Sequence, residues 1–341
     1  MQEITPPSLM RFSLRALRAF GFLSLVVPIS GACASGYRQP PPSGPDASAL
    51  HAVAMTFDDL PYVMPPGASQ QANRAAALAA NAAILNALRR HAVPVTAFIN
   101  EDKVQALGPE GPRLLQRWNE GAFVLANHGY HHFDSNRLTP VQVEQEITQG
   151  EATIGPLAHQ AGRTLTFFRF PYNHVGDTEA KRLALSDIVH RHGYRLAATT
   201  IDVEDYLFND AYECAFAHGR SDAMEKIERA YLDYVRIEIP YYRALDTRVM
   251  GREIPSIMLL HSNRLNAAAL PAIIDIFRKD GTRFITLEEA QADPAYASEP
   301  RMATAYGPMW GYRWARERHI AVNGALEPEA PAWIRGYCKT N

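Results

Sequence analysis

From His51 onward, short apolar runs alternate with longer stretches in which apolar residues recur every three or four positions. The runs Val53–Phe57, Val95–Ile99, Phe123–Ala126, Leu165–Phe170, Leu196–Val203, Ser256–Leu260 and Phe284–Leu287 read as strands. Between them, 70–91 carries Leu78, Ile84, Leu85 and Leu88 at helical spacing. Gly111–Trp118, Thr178–His192 and Ala267–Lys279 also read as helices, as does the segment opened by Thr139-Pro140 and carrying Val143, Ile147 and Ile154. The result is about seven βα units, the pattern of a parallel sheet, open or closed as a barrel.

Two stretches break the alternation. Residues 207–255 intervene before the sixth strand, and Ser221-Asp222 there can cap a helix carrying Met224, Ile227, Tyr231 and Tyr234, with Pro240 expected to end or kink it. This insert holds Tyr212, Tyr231, Tyr234, Tyr241 and Tyr242, which either pack or offer a stacking wall for sugar rings. The tail after Pro294 carries Trp310, Tyr312, Trp314 and Trp333, a composition suited to packing on the domain.

The N-terminus reads differently. Arg11, Arg15 and Arg18 precede the short apolar core Phe20–Ile29, and Ala32-Cys33-Ala34 supplies a small-residue cleavage site, so 1–34 is expected to be a signal peptide. Cys33 after Ser30-Gly31-Ala32 offers the rival of a lipidated start, with membrane anchoring through Cys33. Either way the protein is expected to be exported, to the periplasm or cell envelope. A Pro-rich linker, 35–50, leads into a domain spanning 51–293, and 294–341 forms an extension. Export would permit a bridge between Cys214 and Cys338, which the sequence leaves open. The composition, 47% hydrophobic and 21% charged, is that of a globular protein, and a net charge of −2 gives no reason to expect a nucleic-acid partner.

Chemistry collects at the ends of the expected strands. Asp58, His128, Arg169, Asp202, Asp205 and His261 all follow apolar runs, where parallel α/β barrels place their active sites. Asp58-Asp59 and Asn127-His128-Gly129-Tyr130-His131-His132 together offer one carboxylate and two imidazoles to a catalytic zinc, with a second carboxylate to take a proton from water. Taken singly, each group has an ordinary structural explanation: a solvated turn, surface histidines, an internal ion pair, a core histidine.

Their order is the stronger signal. Thr56-Phe57-Asp58-Asp59, His128-Gly129-Tyr130-His131-His132, Arg169-Phe170-Pro171-Tyr172, Asp202-Val203-Glu204-Asp205-Tyr206 and Leu259-Leu260-His261 resemble, in sequence, the motifs of the NodB-like polysaccharide deacetylases, carbohydrate esterase family four. The resemblance covers 51–290 and implies a distorted (β/α) barrel of about seven strands with an insert before the sixth and a Trp-rich C-terminal tail. It implies Asp59, His128 and His132 as ligands of a divalent ion, zinc first, with cobalt or nickel as alternatives. Asp58 would be the general base and His261 the acid that protonates the leaving group. Asp205 would orient His261, Arg169 would pair with Asp58, and the Tyr172 backbone N–H would hold the oxyanion. Pro171, Tyr172, Tyr206 and Leu259 would contact substrate, an acetylated glycan. Gly129 departs from the pattern, which has Ser or Thr there, and removes a hydroxyl that shapes the His loop. The long insert is the second departure and leaves the substrate open. Also open are a glycan-binding barrel without catalysis, a hydrolase of a non-sugar amide or ester, and an envelope structural protein.

Overall fold

The computed structural model describes residues 51–65 and 67–340. The expected signal peptide and linker, 1–50, lie outside the described residues. Seven parallel strands form one sheet: β1 (His51–Leu60), β2 (Val95–Ile99), β3 (Phe123–Asn127), β4 (Phe167–Phe168), β5 (Arg195–Leu196), β6 (Ser256–His261) and β7 (Thr282–Ile285). Their order is β5-β4-β3-β2-β1-β6, with β7 on the first residues of β1. A bridge between Ile201 and Met258 draws the chain after β5 onto β6 and curls the sheet into the expected distorted barrel. β1 is buried nearly throughout, because it pairs with three strands and has helices outside it.

The helices Gln70–Arg90, Glu179–Arg191 and Arg264–Lys279 fall where the pattern put them. Three local differences have physical causes. β4 and β5 are two residues each, because the backbone around them turns to other partners: the Arg169 carbonyl accepts from the His128 ring and the Ala198 carbonyl from the Arg169 guanidinium. The stretch from Thr139 is two helices, Pro140–Gln149 and Ile154–Gln160, the first opened by a full capping box.

The third difference is the insert. Its helix runs unbroken as Ser221–Met250 through Pro240, and Ser221 is its first residue without a capping bond. Proline removes one N–H, and here packing against the barrel outweighs that loss: Ile227, Tyr231, Val235, Ile239 and Tyr242 are all buried in the main core. The tyrosines of this helix are therefore mostly core residues. The rings of Tyr231 and Tyr234 both pack at a tilt against Phe208. The tail continues the same core through Trp310 and Trp314, packed edge to face, whereas Trp333 is partly exposed.

Candidate active site

β1 and β6 lie side by side in register, so Asp58 stands opposite His261 at their C-terminal ends. β3 runs into the His loop. The carboxylate of Asp59 and one nitrogen from each of His128 and His132 lie within 4.8 Å of one another. His132 Nε2 is 3.1 Å and His128 Nε2 3.8 Å from Asp59 Oδ1. His128 Nδ1 is 2.7 Å from the Arg169 carbonyl, to which it donates, and this leaves Nε2 as the electron-pair donor facing Asp59. Burial lowers the pKa of both imidazoles to about 3, so both are neutral at ordinary pH, the form that ligates metal.

Burial would raise the pKa of Asp59, but Lys103, whose Nζ lies 2.9 Å from Oδ1, and the imidazoles hold it well below the usual carboxylate range. Despite that proximity, no donor is aligned on the buried Oδ1, so the contact with Lys103 is one of charge. An orphaned carboxylate oxygen facing two imidazole nitrogens fits a divalent ion of the zinc type. His131 is not part of this set: it turns outward, pairs with Glu146 at 2.7 Å and stacks on Phe133.

Asp58 stands beside this set, its Oδ2 3.8 Å from His128 Nε2, and its other oxygen is held by Arg169. Arg169 Nη1 donates to its Oδ1 at 2.6 Å and to Thr56 Oγ1 at 2.8 Å, while Nη2 donates to the Ala198 carbonyl. The guanidinium lies 4.1 Å over the Phe98 ring. Burial raises the Asp58 pKa, and the Arg169 charge opposes that rise. His261 has the opposite setting. Its Nδ1 is 2.6 Å from Asp205 Oδ1, and its backbone N–H donates to Oδ2 at 2.7 Å. Asn266 also donates to Asp205 Oδ2. Burial alone would lower the His261 pKa, but the Asp205 carboxylate, with Asp59 and Asp58 beyond it, pushes it up to about 10. One fold thus holds a carboxylate and an imidazolium of separated acidity beside each other.

Backbone strain concentrates here. Among the described residues, Asp59, His132, Tyr172, Asn173 and Glu204 all take positive φ, between 44° and 63°. Non-glycine residues in that region are costly and persist where surrounding contacts impose them. The His loop shows how. Gly129 has φ 82°, and Glu146, arriving from the helix after it, accepts from the backbone N–H groups of Tyr130 and His131 at 3.0 and 2.7 Å. Asn127 Oδ1 accepts from Gly129 N–H at 2.8 Å. The carboxylate of Glu146 and the amide of Asn127 thus shape the loop that lacks a hydroxyl at 129.

The groups enclose a cavity of about 400 Å³. Asp58, Asp59, His128, His132, Tyr172, Tyr206, Leu259 and His261 line it, while Arg169 and Asp205 reach it through Asp58 and His261, and Pro171 is not among the lining residues. Sequence reasoning missed Lys103, Glu146, Asn266, Gly307 and Met309. The last two line the cavity from the C-terminal extension, where a Gly-Pro pair in a Trp-rich tail signals only a turn.

Residues 47–196 match the family model described as Polysaccharide deacetylase, the family whose motifs the sequence resembles. The match ends before Asp202, Asp205, Tyr206, Leu259 and His261, which the fold brings to the same cavity. No curated protein matches the chain. Among solved structures, the family 4 carbohydrate esterase from Streptomyces lividans in complex with acetate is 20% identical, over 71% of this chain and 96% of that one, with a TM-score of 0.46. A polysaccharide deacetylase from Bacillus cereus is 20% identical over 69% and 91%, TM-score 0.47. A CE4 family pseudoenzyme from Bacillus anthracis is 15% identical over 71% and 66%, TM-score 0.47. At these values the structural likenesses carry no weight of their own.

Proposed function

We propose that the protein is an exported, metal-dependent deacetylase that hydrolyses N-acetyl groups, or O-acetyl groups, of a cell-envelope polysaccharide. The observation that supports this best is the pairing of one buried carboxylate and two neutral imidazoles with a separate carboxylate–imidazolium couple around one cavity. Asp59, His128 and His132 would hold the ion. When bound, a zinc ion would acidify water and polarise the acyl carbonyl.

The rest is done by the chain. Asp58, ionised against Arg169, takes the proton of the attacking water. The Tyr172 N–H, set by its positive φ, donates to the oxyanion. His261, kept protonated by Asp205, passes its proton to the departing nitrogen of an amide or oxygen of an ester. Leu259 lines the acetyl end of the cavity, and the exposed rings of Tyr172 and Tyr206 present faces to a sugar. No ligand, base or acid is missing, which favours catalysis over glycan binding alone.

The test is acetate release from N-acetylated and O-acetylated glycans by the zinc-loaded protein, with metal content measured on the same sample. Asp59→Ala and His132→Ala are expected to lose both ion and activity. Full metal occupancy in either variant would overturn the ligand set, and release of no acetate from any glycan would overturn the substrate.

A further inference from the structure

The C-terminal extension touches the reaction centre through its backbone. A Cβ added at Gly307 would stand 1.7 Å from the Tyr172 carbonyl oxygen and 2.9 Å from Asn173 Cβ, so only glycine lets the tail close on this turn. Six residues further on, Arg313 is buried at 2% exposure. Its Nη2 donates to the Asn173 carbonyl at 2.6 Å, and its Nε to the Pro308 carbonyl at 2.9 Å. The acceptors of its hydrogen bonds are backbone carbonyls, those of Asn173, Pro308 and Met302, and burial lowers its pKa to about 10. A buried guanidinium carries a desolvation cost that its carbonyl hydrogen bonds offset only in part, and those bonds tie together the segments that supply them. What it holds is the strained pair Tyr172–Asn173, at φ 59° and 54°.

The same segment opens a second space. Asp202, Gly307 and Met309 line both the reaction cavity and a neighbouring recess of about 610 Å³. The recess is bounded further by Tyr306, Tyr312 and Glu327, and Tyr306 is 62% exposed. Both Glu327 oxygens are taken, by the hydroxyls of Tyr242 and Tyr312. Asp202 differs: its Oδ1 accepts from the Glu204 N–H, and it sits where the two spaces meet. The recess is within the roughly 300–1,000 Å³ range of small-molecule sites, with an open aromatic face and an acceptor, features that suit a pyranose ring.

We propose that segment 306–313, outside the family match, is part of the active site. Gly307 and Arg313 position the Tyr172–Asn173 turn, and the recess beside Tyr306 takes the sugar unit next to the one being deacetylated. This rests on the deacetylase reading above.

Three probes on the full, zinc-loaded chain test it: zinc affinity by calorimetry, hydrolysis of para-nitrophenyl acetate, and acetate release from an N-acetylglucosamine pentamer. Gly307→Ala is expected to keep zinc affinity within about twofold while kcat on both acetyl substrates falls at least about 10-fold with little change in KM, towards the 10²–10³-fold that an oxyanion donor is worth. A wild-type kcat on the ester overturns the positioning role. Should Gly307→Ala fail to fold, Arg313→Lys and Arg313→Met decide: Lys recovers kcat and Met does not, whereas losses that follow the melting temperature alone overturn it. Tyr306→Ala is expected to raise KM for the pentamer about 10-fold more than for the aryl acetate, and equal changes overturn the subsite. If the wild-type protein cleaves the ester but no glycan, the polysaccharide reading fails while the Gly307 and Arg313 variants still decide the positioning role.

Discussion

The buried ion pair of Asp58 and Arg169 and the couple of Asp205 and His261 assign different work to two groups that sit opposite each other on adjacent strands. Asp58→Asn keeps the proposed metal ligands and removes the proposed base, so it is expected to retain zinc while hydrolysis falls about 10²–10⁴-fold. Near-normal turnover in a zinc-loaded sample would show that Asp58 is not the base. His261 should set the alkaline limb of the pH–rate profile near its folded pKa of about 10. Asp205→Asn removes the charge that raises this pKa and should shift the limb to lower pH by one unit or more, which a profile of kcat/KM would show. The same couple acts on stability. The folded pKa is above the free value of about 6.5, so its contribution is complete below that pH and is lost as pH rises through about 10.

At the scale of single elements, the His loop and the long helix carry the clearest expectations. Glu146 gathers two backbone N–H groups and the His131 ring on one carboxylate. Glu146→Ala should free the loop and weaken zinc binding by about 10–100-fold, the usual effect of losing a group that orients ligands. Unchanged affinity in calorimetry would return the loop's shape to Gly129 and Asn127 alone. The helix Ser221–Met250 reads in sequence as a candidate groove wall, yet its apolar and aromatic face is core, and only Tyr242 reaches the recess beside the reaction cavity. Tyr231→Ala removes a fully buried ring packed on Phe208 and should cost about 3–5 kcal/mol, read by denaturant unfolding. A cost under about 1 kcal/mol would mean that the helix is a peripheral addition.

For the molecule as a whole, the ion and the fold should be linked. The proposed ligands come from β1 and from the loop after β3, so they assemble only in the folded chain. Zinc at about 100 times its Kd should then add roughly 2.7 kcal/mol and raise the melting temperature. The rise should be absent in His132→Ala. A shift equal in both proteins would place the ion elsewhere.

The sequence by itself determined the strand and helix alternation, the ordered motifs and the residues that gather at the strand ends, because these are local patterns of period and residue type. Strand positions at β2, β3 and β6 are legible to within a residue for the same reason, since each is an apolar run, whereas β1 extends beyond its apolar run at both ends, as far as Leu60 past Asp58-Asp59. The tertiary structure alone decided the rest. It made His131 an outward partner of Glu146, drew β4 and β5 down to two residues each, and ran the insert's helix past Pro240, because distant packing outweighed a local breaker. It also brought Lys103 to Asp59 and closed Gly307 on Tyr172, contacts across 44 and 135 positions of chain (103 − 59 and 307 − 172) that no local pattern encodes.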